Sequence, residues 1–284
     1  MRAIPRREFA LTSALARDVR MAVADNSRKE VLEVSVRLRS KVIVVTGGSS
    51  GMGRAFAQRA ASEGAKVVIG ARDKTRGDEV VAGIRDSGGE ALFVPTDVTI
   101  EEQVAALVGE AVAQFGRLDG AFNNVGGTSP GRLREIDEAF WRDTIDRNLT
   151  SVFFSLKHEI PAIVASGGGS IVNNASTMGV IADPNIAAYV AAKHGVIGLT
   201  RSAALDAARE GVRVNALVTG LVDTSLFRQG ARNPELQQHF LDMQPSGQIG
   251  TEEDVAAFTA FLLSDEATYI TGAALSIDGG MTAK

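Results

Sequence analysis

From Lys41 onward the chain alternates short apolar runs with longer stretches of helical period. The runs are "KVIVVT", "AKVVIGA", "EALFVPTDV", "LDGAFNN", "GSIVNNAS", "VRVNALV" and "AALSIDGG". They are short and rich in apolar residues, several are β-branched, and turn residues flank them, so they read as strands. Between them lie helical segments. "MGRAFAQRAASEG" stops at Gly64, another ends near "DSGG", and further ones cover 100–115, 135–165, 187–210 and 251–263. Apolar strands that alternate with helices imply a parallel sheet covered on both faces. The pattern therefore predicts an α/β domain with a seven-stranded parallel sheet. No Pro- or Gly-rich linker divides residues 41–284, so one domain is expected there.

Residues 1–40 read differently. They are rich in arginine and lack glycine. "RREFAL" looks like a twin-arginine export signal, but the apolar stretch after it is short and "RDVR" interrupts it, whereas a signal core is longer and uncharged. The expectation is a flexible or helical N-terminal extension, or an upstream start with Met21 nearer the true one.

Composition narrows the function classes. The 284 residues are long enough for a substantial core, and 45% hydrophobic with 23% charged is ordinary for a soluble globular protein. The net charge of −4 shows no basic face for nucleic acid. No run of about 18 apolar residues suggests a membrane span. Cytoplasmic location is expected. Cysteine is absent, which removes disulfides, thiolate catalysis and cysteine–zinc sites. The three histidines have no metal-type spacing and no setting that suggests a Ser-His-Asp mechanism.

Two stretches carry candidate chemistry. "VVTGGSSGMGRA" joins the first strand to the first helix, with Gly47, Gly51 and Gly53 in a G-x-x-x-G-x-G array. Glycine lets the backbone turn tightly against a pyrophosphate, and the helix N-terminus offers free N–H groups. A strand before and a helix after are the context of a dinucleotide site, and hence of a Rossmann-type doubly wound sheet. An Asp or Glu about 20 residues further on would hold the ribose 2′-hydroxyl of NAD. Here Gly70 and Ala71 carry no carboxylate and Arg72 follows. Arginine suits a 2′-phosphate, so NADP(H) is preferred. NAD(H) stays open, because Asp73 is next in sequence. Asp97 and Val98 are placed to meet the adenine edge, and "NNVG", Asn123 to Gly126, ends the fourth strand with small residues beside the cofactor.

The second stretch is "YVAAK". Tyr189 and Lys193 are four apart, hence on one helix face. A cation beside a phenol lowers its pKa and makes it a usable general acid/base. Alone, the pair is weak evidence, because Tyr and Lys meet at this spacing on many ordinary helix faces.

Taken together, the chain resembles the short-chain dehydrogenase/reductase family of the single-domain, Tyr-x-x-x-Lys type, over about residues 40 to 284. The motifs stand in order as "TGGSSGMG", "NNVG", "DRNLTSVFF", "IVNNAST", "YVAAK" and the C-terminal "YITGAALSIDGG". The resemblance implies that Tyr189 is the catalytic acid/base and Lys193 its partner, which also holds the nicotinamide ribose. It implies that Ser176 polarises the substrate oxygen and that Asn148 positions a water in a proton relay. Thr46, Gly47, Ser49, Ser50, Gly51, Met52 and Gly53 match the phosphate-side loop. Asn124, Val125 and Gly126 match the turn beside the cofactor, and Gly220, Val222 and Thr224 the segment over the nicotinamide. Two departures stand out. Val125 replaces an alanine and narrows its turn. Thr219 replaces a proline in "VTGLVDT", which predicts a more flexible loop.

The implied activity is hydride transfer between NADP(H) and a secondary alcohol or ketone, without a metal. Two other readings are a non-catalytic NAD(P)-binding sensor, and a lyase or epimerase that uses the cofactor transiently. The sensor would be free to lose Tyr189 or Lys193. The epimerase-like relatives carry a different glycine spacing and a larger C-terminal domain. Substrate identity is open. "DTSLFRQGARNPELQQHFLDMQPSGQIG" is expected to form a mobile lid. Leu226, Phe227, Phe240, Leu241 and Met243 either line an apolar pocket or pack on the core. Met178, Gly179 and Val180 are expected to border that pocket, which suits a moderately apolar, including cyclic, alcohol or ketone. The family implies a homotetramer or homodimer through 135–165 and 187–210, unless Val152, Phe153 and Leu156 are buried within the subunit.

Overall fold

The computed structural model describes residues 36–128, 130–230 and 233–283. Residues 1–35 of the N-terminal extension lie outside them. Packing begins before Lys41. Leu38 is 0% exposed within the core, and Arg37 meets Glu63 in a two-point ion pair, its Nη2 lying 2.7 Å from Oε1. The compact unit starts at Arg37.

Seven parallel strands form one sheet: β1 Val42–Thr46, β2 Lys66–Ala71, β3 Glu90–Pro95, β4 Gly120–Asn123, β5 Gly169–Asn174, β6 Val212–Thr219 and β7 Ala274–Ile277. Their spatial order is β3-β2-β1-β4-β5-β6-β7. The helices are α1 Gly51–Ser62, α2 Lys74–Asp86, α3 Glu101–Phe115, α4 Glu138–Ile145, α5 Ser151–Ala165, α6 Ala187–Ala207, α7 Ser225–Gly230, α8 Pro234–Asp242 and α9 Glu252–Leu263. Successive strand residues point to opposite faces, so β1 divides its side chains between two cores. Ile43 and Val45 pack with Phe56 of α1, Val81 of α2 and Val255 of α9. Val42 and Val44 pack with Leu107 of α3, Leu156 of α5 and Val196 of α6. Both faces are therefore dry, which is why the strands read as unbroken apolar runs.

Three expectations change in detail. The helix expected over 135–165 is two helices, α4 and α5, joined by a π-turn over Asp146–Thr150. A π-turn inserts one extra residue, which re-aims the side chains on it, Asn148 included. The segment after β6 carries α7 and α8. Its base is closed where Asp223 donates to the Gly250 carbonyl at 2.9 Å and Gly250 to that of Leu221 at 3.0 Å. Val152 and Leu156 are buried within the subunit, whereas Phe153 is 45% exposed. Among the described residues, no helix is long and apolar enough to cross a membrane.

Candidate active site

The strand order reverses between β1 and β4, and ligands of open parallel sheets bind at the carboxyl ends of the strands at such a point. Here Thr46, Asn123, Asn174 and Thr219 end β1, β4, β5 and β6. Polar side chains stitch three of these ends together. Thr219 Oγ1 donates to Asn174 Oδ1 at 2.7 Å, and Asn174 Nδ2 donates to Asn124 Oδ1 at 3.1 Å. Thr46 Oγ1 accepts the Asn124 N–H at 3.0 Å. The loosening expected from Thr219 does not follow at this residue. The hydroxyl that replaces a proline ring is buried and anchored, and Gly220 after it donates to the Ile277 carbonyl at 3.0 Å.

Two clefts open above these ends. The first, of about 520 Å³, is lined by Met52, Asn124, Gly126, Ser176, Tyr189, Lys193, Gly220, Val222 and Thr224 among the expected residues. Its outer wall is apolar, from Met178, Ile186, Phe227, Phe240, Met243 and Met281, with Asp183 as the one acidic side chain among the described residues. The second, of about 580 Å³, is lined by Gly47, Ser49, Ser50, Arg72, Asp97, Val98 and Val125, together with Asp73, Arg76 and Arg147.

Within the first cleft, α6 starts at Ala187 and sets Tyr189 in its first turn, with Lys193 one turn on. The Tyr189 phenol faces the Ser176 and Thr128 hydroxyls. Ser176 begins a 3₁₀ turn after β5 and accepts the Met178 N–H at 3.1 Å, which fixes its χ1. Lys193 Nζ donates to the Asn174 carbonyl at 2.8 Å and lies 5.7 Å from the centre of the Tyr189 ring. Asn148 is fully buried. Its Oδ1 accepts the Gly127 N–H at 2.9 Å, and its Nδ2 donates to the carbonyls of Gly127 and Thr144 at 3.2 and 2.9 Å. Gly126 sits between these groups, because a Cβ there would lie 2.8 Å from Asn148 Oδ1 and 3.1 Å from Lys193 Nζ. Of the four residues expected to do chemistry, Ser176, Tyr189 and Lys193 line the cleft, whereas Asn148 stands beside Gly126 and does not line it.

The electrostatics differ from the expected lysine effect. Burial pushes the Tyr189 phenol above its ordinary value, and the neighbouring Ser176 and Thr128 hydroxyls only partly oppose that. Burial also lowers Lys193 to about 8. Desolvation disfavours the charged form of either group, and Lys193 faces the Asn174 carbonyl and the ring face.

The glycine loop is built to take a phosphate. Gly47 and Gly51 hold φ of +69° and +55°, which glycine adopts without strain. A Cβ on Gly53 would lie 2.4 Å from the Gly47 carbonyl oxygen, so only glycine fits. Ser50 caps α1 without a side-chain bond, and the first turn holds no acidic residue. The N–H groups and dipole there suit an anion. Val125 packs over this loop, its Cγ2 3.1 Å from where a Gly47 Cβ would stand. In the second cleft Asp97 accepts hydrogen bonds from the Thr99 N–H and hydroxyl at 3.0 and 2.7 Å. Burial works to raise this carboxyl, and those bonds, with Arg72 nearby, more than offset it and hold it low. Arg72 is 79% exposed with its guanidinium 4.0 Å from Asp97. Asp73 is engaged elsewhere, as the cap of α2 and 3.2 Å from Arg76.

Of the expected pocket residues, Phe227, Phe240, Met243 and Met178 line the first cleft, while Leu241, Gly179 and Val180 do not. The Leu226 side chain lies outside the described residues. Thr128, Asp183, Ile186 and Met281 were not expected. Thr128 stands just past "NNVG", and Met281 is brought in by the pairing of β7 with β6.

A family model described as enoyl-(acyl carrier protein) reductase matches residues 47–282. Cis-4-hydroxycyclohexanecarboxylate dehydrogenase of Sinomonas cyclohexanicum is 44% identical over 86% of this chain and 97% of its own length. Cyclohexanol dehydrogenase of Acinetobacter sp. (strain SE19) is 40% identical over 88% and 98%. The crystal structure of levodione reductase aligns with a TM-score of 0.83 at 33% identity, covering 86% of this chain and 98% of that one.

Proposed function

This chain belongs to the short-chain dehydrogenase/reductase family, and from that membership we propose that it interconverts an uncharged alicyclic secondary alcohol and its ketone with NADP(H), using Tyr189 as the proton donor and acceptor. It is an NAD(P)-dependent oxidoreductase acting on CH–OH groups. The observation that carries the finer reading is that Tyr189 and Ser176 face each other in an apolar cleft, with Lys193 one turn along from Tyr189.

A nicotinamide cofactor bound here would supply the hydride chemistry. The chain's residues do the rest. The loop of Gly47, Gly51 and Gly53 with the α1 N-terminus would hold the pyrophosphate. Lys193 would hold the adjoining ribose. In ketone reduction, negative charge develops on the substrate oxygen. Ser176 and Tyr189 donate hydrogen bonds to it in a dry site, where such bonds are strongest. Tyr189 then gives up its proton to that oxygen. The Lys193 ammonium, held by Asn174, favours the tyrosinate that remains. In alcohol oxidation each step runs in reverse.

Arg72, Arg76 and Arg147 edge the second cleft, and Asp73 is occupied as a helix cap, which favours a 2′-phosphate over a bare ribose. The apolar outer wall and two relatives named for cyclohexane-ring substrates support an alicyclic substrate. A cytoplasmic site of action and assembly as a homodimer or homotetramer belong to the same reading. Within 135–165 and 187–210, Trp141 of α4, Phe153 of α5 and Leu205 of α6 are the exposed large apolar side chains among the described residues that helix–helix contact would cover. The test is to follow reduced-cofactor absorbance with NADP⁺ or NAD⁺ and a panel of cyclic and linear alcohols. Turnover with cyclic alcohols that Tyr189→Phe lowers by at least about 10³-fold, with cofactor affinity nearly unchanged, supports the reading. Near wild-type turnover in that variant would overturn it.

A further inference from the structure

Glu159 lies on α5 with 1% of its surface exposed. Its Oε2 accepts from Asn123 Nδ2 at 2.9 Å. Its Oε1 has no hydrogen-bond partner, and neither has Oδ1 of Asn123. The two orphaned atoms thus belong to one pair of planar groups that already share a bond. Asn123 Nδ2 has no hydrogen to spare, since it also donates to Asn173 Oδ1 at 3.0 Å. Asn173 Nδ2 in turn donates to Thr200 Oγ1 at 2.9 Å.

A carboxylate is acceptor-only, whereas a carboxylic acid has one donor and one acceptor edge, as a carboxamide has. An ionised Glu159 would leave two buried acceptors with no donor between them. Buried polar atoms without partners are costly and rare. One proton on Oε1 supplies the missing donor. We propose that Glu159 is a positioning residue that acts as a neutral carboxylic acid, clasps the Asn123 side chain through both its oxygens, and so fixes the end of β4 beneath the cofactor cleft.

The surroundings agree. Asn123 of β4 meets Glu159 and is backed by Asn173 of β5 and Thr200 of α6, and none of these is charged. On its own helix, Lys157 and His158 turn instead to Glu101 of α3, at 2.6 and 3.0 Å. Burial raises the carboxyl to about 7, opposed only by the bond from Asn123. What Asn123 fixes is the next turn of chain. Asn124 bonds Thr46 and Asn174, and Gly126 abuts Asn148 and Lys193.

The sign of the pH effect follows. A carboxyl raised in the folded state stabilises fully below its unfolded value of about 4.5, and that stability drains away as pH climbs to about 7. Glu159→Gln keeps one donor and one acceptor edge at every pH; Glu159→Leu keeps neither.

The full chain, wild type and both variants, is measured by infrared spectroscopy, melting temperature and cofactor titration. Between about pH 5 and pH 7, above the range of ordinary carboxyls, the carbonyl stretch of a protonated acid is expected in wild type and absent from Glu159→Gln. Wild type should lose melting temperature relative to Glu159→Gln as pH rises toward neutrality. Cofactor affinity should stay within about twofold in Glu159→Gln and fall about tenfold in Glu159→Leu. No acid band in wild type, a melting difference that does not vary with pH, or Glu159→Gln binding as weakly as Glu159→Leu would each overturn the proposal. If Glu159→Leu does not fold, the first two measurements decide.

Discussion

Asn148 grips Gly127 by both its backbone groups, accepting the N–H at 2.9 Å and donating to the carbonyl at 3.2 Å. Its remaining amide hydrogen goes to the Thr144 carbonyl. The side chain is thus spent on tying the π-turn to the loop after β4, next to Gly126 and Lys193. That differs from the expected role of holding a relay water, for which only one lone pair on Oδ1 is left. Asn148→Asp keeps the acceptor but loses both donated bonds, and Asn148→Ala loses all three. We expect kcat to fall about tenfold in the first and about 100-fold in the second, with the melting temperature lowered in that order. A fall in kcat with unchanged melting temperature in both variants would point instead to a water-holding role.

Arg72 offers a second check. Its guanidinium is largely exposed on the edge of the second cleft, 4.0 Å from Asp97. A charge-assisted bond to a 2′-phosphate contributes roughly 1.5–3 kcal/mol. Arg72→Ser should therefore lower kcat/KM with NADP⁺ by about 10- to 100-fold and leave the value with NAD⁺ within about threefold. Equal losses with both cofactors would show that Arg72 does not read the phosphate.

How much of this was legible in the sequence follows from what each residue depends on. The strands were plain because both sheet faces are covered, so Val42 to Val45 need no polar partner on either side. Gly47, Gly51 and Gly53 were legible because backbone geometry at a strand-to-helix turn is local. Tyr189 and Lys193 were legible as a pair because helix spacing is local too. The phenol's shift was not, because it is set by burial in the folded chain rather than by spacing. Asp183 and Met281 meet the cleft only through long-range folding, and no local pattern marks them, whereas Thr128 was within reach as a neighbour of "NNVG". Thr219 was read as a weakened turn because its partner, Asn174, is on another strand. The same holds for Glu159, a lone carboxyl in an apolar helix until Asn123 is seen beside it.

Lys193 gives a third prediction through its burial. Its value of about 8 lies below the ordinary 10.5, so the native state binds fewer protons than the unfolded chain between those values. Stability should then rise with pH through that window, by at most about 3 kcal/mol. The comparison is with Lys193→Met, which lacks the titrating group. Urea unfolding of both proteins at a series of pH values reads the difference directly. A wild-type advantage that does not grow above pH 8 would mean that the ammonium is not desolvated as the fold implies.

Asp183 bears on the substrate. Apart from buried Lys193, it is the charged side chain on the wall of the first cleft among the described residues. The rest of that wall, from Ile186 to Met281, has no cation to receive an acid group. A carboxylate on a substrate ring would stand near an exposed like charge. At such a surface, Coulomb repulsion is roughly 1 kcal/mol and is screened by salt. Wild type should therefore prefer cyclohexanol to 4-hydroxycyclohexanecarboxylate, and Asp183→Asn should narrow the ratio of their kcat/KM values by about three- to tenfold. Raising ionic strength should narrow the wild-type ratio in the same direction and leave that of Asp183→Asn almost unmoved. The salt arm separates charge from shape, because a steric preference would survive both the substitution and the salt. A ratio that neither change moves would place Asp183 away from the bound ring and leave selection to the apolar wall of Phe227, Phe240 and Met243.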